Sequence, residues 1–168
     1  MFRTTIVLVV ILITLASAGC GASRSTGLPN DLAVPLEQAA TWELTSIDPG
    51  WVEPSEPYPQ DMPKVQGYPA LGSLKITDAA VRKKLLAELQ QAVTATDQHS
   101  GAACFAPRHA ITVEHQGKQV ILLICFHCSN ANYIVGGKQQ HALQIAHEPK
   151  LQESLSQLLA EQKIPLAP

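Results

Sequence analysis

The sequence predicts an α+β fold, a small, mainly antiparallel sheet of four or five strands packed against two helices. Three observations predict it. Apolar residues recur every fourth position at Val81, Leu85, Leu89 and Val93, the stripe of an amphipathic helix. A second stripe, Leu151, Leu155, Leu158 and Leu159, follows Pro149 near the C-terminus. Between them, "AITVEHQGKQVILLICF" reads as two strands folded about Gln116 and Gly117, a pair suited to a tight turn. Helix-period segments flanking strand-period segments of this kind make two packed layers around one core.

Each element follows in order. "ATWELTSI" alternates Trp42, Leu44 and Ser46 against Glu43, Thr45 and Ile47, a strand that Asp48, Pro49 and Gly50 terminate. The next stretch, "PGWVEPSEPYPQDMPKVQGYP", holds six prolines and cannot be regular structure. Its Trp51, Tyr58 and Tyr68 are expected to pin it to the core, the alternative being a binding face that, with the hairpin end, forms a recognition surface. "LGSLKI" is a short strand, and Thr77 and Asp78 supply cap chemistry for a helix over about 79 to 95, its stripe broadened by Leu86 and Ala92. "VILLI" is continuously apolar, which predicts a central strand covered on both faces. "NYIV", closed by Gly136 and Gly137, is a further strand. Pro149 suits the first turn of the last helix. No internal repeat is visible.

The N-terminus, "MFRTTIVLVVILITLASAGC", places Arg3 before an apolar run from Ile6 to Leu15 and then small residues, the layout of an export signal. The run is shorter than the roughly 20 apolar residues a membrane-spanning helix needs. "LASAGC" resembles the lipobox of bacterial lipoproteins, with Ser17 where Leu is commonest. The resemblance implies a signal peptide over residues 1–19, cleaved between Gly19 and Cys20, fatty acyl chains such as palmitate on Cys20, and residence on a membrane of the cell envelope. Gly21 stands where an Asp would resemble an inner-membrane retention signal, which favours the outer membrane in a Gram-negative source. Two or three acyl chains hold durably where one holds only marginally. "GASRSTGLPNDLAVPLEQAA" scatters Gly, Ser, Pro and Asn without an apolar period, so residues 20–40 are expected to form a lipidated tether and residues 41–168 a single domain.

Loss of residues 1–19 removes one Arg and no acid, leaving eleven basic against 14 acidic side chains and a net charge of −3. With no basic run, nucleic-acid binding is excluded as a function class.

Chemistry concentrates in "CFAPRHAITVEHQGKQVILLICFHC". Cys125 and Cys128 have redox-motif spacing, but "SNANYIV" follows them rather than the helix start that lowers a thiol pKa. Ser129 stands where covalent haem attachment needs His. A two-residue turn at Gln116 and Gly117 sets Cys125 opposite Arg108 and Cys104 opposite Ser129, so Cys104, Arg108, Cys125 and His127 share one side. Pro107 interrupts the ladder and would let Cys104 fold back toward the pair. An exported protein meets an oxidising compartment, which favours a disulfide from Cys104 to Cys125 or Cys128. The odd third thiol keeps a zinc site open, with Cys104, Cys125, Cys128 and His109 or His127 as a Cys3His set. Arg108 beside His109 would perturb the imidazole. His99, His115 and His141 are expected to be solvated.

"CFAPRHAI" with "ICFHC" is also similar to a Cys-Phe-x-Pro-Arg-His and Cys-Phe-x-Cys pattern of small uncharacterised exported bacterial proteins. From Trp42 to the C-terminus this resemblance implies a shared fold and a site at Cys104, Arg108, His109, Cys125 and Cys128, without naming an activity. No catalytic triad order, phosphate loop or nucleotide fingerprint appears. The sequence therefore points to a non-catalytic binding or assembly module, with an envelope protein or an unspecified small molecule as partner. The alternative is a metal-binding or thiol-dependent protein built on the cysteine cluster.

Overall fold

The chain runs from helix α1 (Asn30–Gln38) to strands β1 (Trp42–Ile47), β2 (Lys64–Val65) and β3 (Tyr68–Ile76), then helix α2 (Ala79–Ala92). Strands β4 (Val93–Asp97), β5 (His109–His115), β6 (Lys118–Cys125), β7 (Asn130–Val135) and β8 (Lys138–Ile145) follow, and helix α3 (Pro149–Glu161) closes it. This computed structural model describes residues 27–50, 57–97, 104–146 and 149–167. Residues 1–19, expected to form a signal peptide, and Cys20, Trp51 and His99 lie outside the described residues.

The strands form one eight-stranded sheet in the order β2-β3-β1-β5-β6-β7-β8-β4, with every neighbouring pair antiparallel. The α+β class holds, but the sheet is larger than the expected four or five strands. The additions are β2, β4 and β8. Helix α2 stops at Ala92 rather than near residue 95, because Val93 pairs with Ile145 and continues the chain as an edge strand. Valine and threonine at 93 and 94 suit that extended backbone. The β5–β6 hairpin has the expected register, with His115 opposite Lys118 and His109 opposite Ile124. Gln116 and Gly117 both take positive φ, 50° and 71°, the geometry whose twist matches the flanking strands. Gly136 and Gly137 repeat it between β7 and β8.

All three helices lie against one face of the sheet. Leu85, Leu89, Leu151, Leu155 and Leu159 bury there against Leu44, Ile111, Leu122 and Tyr133. Asp78 starts α2 by accepting from the backbone N–H groups of Ala80 and Val81 at 2.7 and 3.1 Å, the cap its sequence position implied. Because β3 and β4 stand near opposite edges, α2 must carry the chain across this face; its 14 residues extend about 21 Å. Part of the stretch expected to be a tether is folded instead. Leu32, Leu36 and Ala39 of the α1 segment are buried in the same core, Trp42 Nε1 donates to the Leu36 carbonyl at 2.9 Å, and Tyr133 donates its hydroxyl to Asp31 at 3.0 Å. Burial and that carboxylate raise the Tyr133 pKa.

The opposite face has a smaller core of Ile47, Ala110, Ile121, Leu123 and Ile134, capped by Val65, Tyr68 and Phe105. Tyr58 donates to buried Asp48 and Tyr68 packs on this cluster. Tyr58 therefore pins the proline-rich loop as expected, but the end of that stretch is not loop: Lys64–Val65 form β2 and Tyr68 opens β3, so the expectation of no regular structure is corrected there. Strand β6 is buried on both faces from Val120 to Cys125.

Candidate functional site

The site lies at one end of the helix-covered face, where β5 begins, β6 ends and α3 crosses. Arg108 is fixed by backbone bonds on both sides: its N–H donates to Ile124 and its carbonyl accepts from Ile47, each at 3.1 Å. His109 opens β5, directly opposite Ser46 on one neighbour and Ile124 on the other. Strand alternation aims both Ser46 and His109 at the helices, along with Leu44 and Ile111.

Beyond Cys125 the chain turns through Phe126, His127 and Cys128 into β7. Cys125 is joined by a disulfide to Cys128, and the Cys128 N–H approaches the Cys125 sulfur at 3.3 Å. Ser129 donates its backbone N–H to the Phe126 carbonyl at 3.2 Å and takes a positive φ that completes the turn. The expected bond from Cys104 to one of these residues is not formed. Cys104 is a free, exposed thiol; the buried Pro107 and Ala106 start the descent into β5 after it rather than folding it back.

The candidate zinc ligands are not gathered in this structure. The disulfide occupies two of the three thiols, Cys104 stays in solvent, and His109 turns its Nε2 to Ser156 of α3 at 3.2 Å. Among the described residues no group of three or more His, Cys, Asp or Glu side chains could hold a metal ion.

What the fold does bring together is Arg108, His109, Phe126, His127 and Gln152, which line one cleft of about 230 Å³. The Phe126 ring meets the His109 ring edge-on, with centroids 5.5 Å apart at 77°. His109 is buried, and burial first, then the Arg108 charge, lowers its pKa to about 4. The imidazole is therefore neutral near pH 7. Its Nδ1 is buried without a hydrogen-bond partner, and so is the Ser46 hydroxyl opposite it. Compared with family models, curated proteins and solved structures, the chain matches none. The site must be judged on its own chemistry.

Three of the five lining residues, Arg108, His109 and His127, were candidates from sequence. Phe126 and Gln152 were not, nor was Ser156, which holds His109 from α3. For the two α3 residues, Gln152 and Ser156, the available signal was their four-residue spacing beside the Leu151, Leu155 and Leu159 stripe, which places both along the margin of the buried face of α3. His115 is only half-buried at the end of β5, and His141 falls within β8. No described helix is long and apolar enough to cross a membrane.

Proposed function

We propose that this chain is a lipid-anchored protein of the bacterial cell envelope that acts as a binding module through the Arg108–His127 cleft. The envelope part rests on the order of basic, apolar and small residues ending at Cys20. The Cys125–Cys128 disulfide is consistent with it, since such bonds persist in oxidising compartments. The binding part rests on one observation: a cation, two imidazoles, an amide and an aromatic ring from β5, the β6–β7 turn and α3 converge on one small cleft. His109 on β5 and Gln152 on α3 sit on regular elements, as a preorganised recognition site favours. The Ser156–His109 contact lacks the third group that orients the base of a nucleophilic relay, since the far ring nitrogen has no partner. Recognition without bond-making is therefore the reading. Thiol–disulfide exchange is a second reading, favoured by the half-buried Cys128 of a Cys-x-x-Cys pair, but the pair joins two strands instead of opening a helix.

Two measurements test this. Cys20→Ala should block incorporation of labelled palmitate and leave an uncleaved precursor; normal processing and membrane retention of that variant would overturn the anchor. A small-molecule fragment screen by NMR on the detergent-solubilised full chain should shift Phe126, His127 and Gln152. A screen whose hits all map elsewhere would remove the cleft from the proposal.

A further inference from the structure

We infer that the cleft takes a small organic oxyanion, with its charged end toward Arg108 and the first turn of α3 and its apolar part against Phe126. The inference deepens the binding reading above and rests on it. Positive potential converges there from independent sources. Arg108 keeps its charge at any ordinary pH, and it lies close enough to His109 to disfavour that ring's protonation. Gln152 is the fourth residue of α3, a helix of 13 residues, so the cleft abuts the turn where backbone N–H groups lack helical partners and the dipole is positive. Exposed Lys150 adds a cation on that turn, while exposed Glu153 opposes it. Among the described residues at this end of α3, Lys150 and the helix dipole stand against Glu153, with Arg108 lining the same cleft.

A helix start alone would not make a site. The independent observation is His109, which lines the cleft at only 4% exposure and carries a buried Nδ1 without a partner. Burying such an atom without a partner is unfavourable, and orphaned polar atoms in a native fold point to a group that completes them. The neutral ring can donate to an oxyanion through a small local adjustment. Size sets the rest. A cleft of about 230 Å³ is below the roughly 300–1,000 Å³ of drug-sized pockets, so it suits one ring or a short chain rather than a polymer. Phe126 supplies an apolar wall for that part.

The test is a charge series on one scaffold, read by amide shifts of the ¹⁵N-labelled, detergent-solubilised full chain at pH 7. Benzoate, phenyl phosphate, benzamide and benzylammonium are titrated separately. Benzoate or phenyl phosphate should shift Phe126, His127 and Gln152 saturably and bind at least ten-fold more tightly than benzamide, with benzylammonium weakest. The tighter of the two anions assigns carboxylate or phosphate. Arg108→Gln should weaken the anion at least ten-fold and erase its advantage over benzamide. Because the series uses the unaltered protein, it stands even if that variant does not fold. Equal binding of benzamide and both anions at the cleft would overturn the oxyanion inference and leave the binding reading intact. No shift at these residues with any probe would overturn the inference and also withdraw support from the reading.

Discussion

Two neighbouring rows on the same face of the sheet have opposite chemistry. Leu44, Ile111 and Leu122 lie side by side across β1, β5 and β6, all buried under the helices. Two residues further along each strand pair, Ser46, His109 and Ile124 form the next row, equally buried, with orphaned polar atoms on the first two. An apolar row gains by leaving water, whereas a polar row that lacks partners loses. A fold selected only for stability would carry aliphatic side chains through both. The difference shows where the molecule departs from local consistency, and departures of that kind gather at functional sites.

The largest expected effect comes from the apolar row. Leu44→Ala should destabilise the purified protein by roughly 2–5 kcal/mol in denaturant unfolding, through lost transfer energy and a residual cavity. A loss below about 1 kcal/mol would mean the row is less tightly packed than the contrast requires.

The polar row should answer to pH. The folded ring takes a proton only below about 4, while the unfolded ring takes one near 6.5. Between those values the unfolded state binds more protons, so stability falls as pH drops from 6.5 to 4 and levels off below. The loss attributable to His109 is on the order of 3 kcal/mol. An NMR titration of the ring checks it directly, and a pKa near 6.5 would erase the contrast.

Reducing the Cys125–Cys128 bond should cost somewhat less. The cross-link spans a sequence separation of 3, and closing so short a loop removes only ~2 kcal/mol of unfolded-state entropy. Unfolding curves with and without a dithiol reductant measure it, and the His109 resonance should move on reduction because Phe126 rides on that turn. Smallest of all, Ser156→Ala should cost about 1 kcal/mol for one hydrogen bond while leaving the ring pKa low, since burial is its main cause.

The hairpin was legible because its signals are local: a two-residue turn fixed the register, which in turn placed Arg108 across from the end of β6. The helix stripes and the Asp78 cap were legible for the same reason. Strand β8 was not, because "KQQHALQI" has no clean apolar alternation and owes its extended form to pairing between β7 and β4. Helix α1 was hidden by Pro29 and Pro35 and by an apolar period only about one turn long, Leu32 to Leu36. Half of the site was visible for a similar reason. Arg108, His109 and His127 cluster at one hairpin end, whereas Ser46, Gln152 and Ser156 arrive from distant segments that only the tertiary fold brings in. The cysteine pairing failed on geometry of the same kind: residues three apart at a strand end can meet each other, and Cys104 leaves the ladder before reaching them.

The claim that the polar row is kept for a ligand and not for the fold is tested most directly by His109→Phe, a swap close in volume that suits the apolar contact with Phe126. Its unfolding free energy should be measured against the parent protein from pH 7.5 down to pH 4. The expected result is a variant at least as stable as the parent at pH 7, with the fall between pH 6.5 and 4 flattened. A variant that loses 2 kcal/mol or more at pH 7 and keeps the parent's pH dependence would contradict the account, and make His109 an ordinary structural residue of the core.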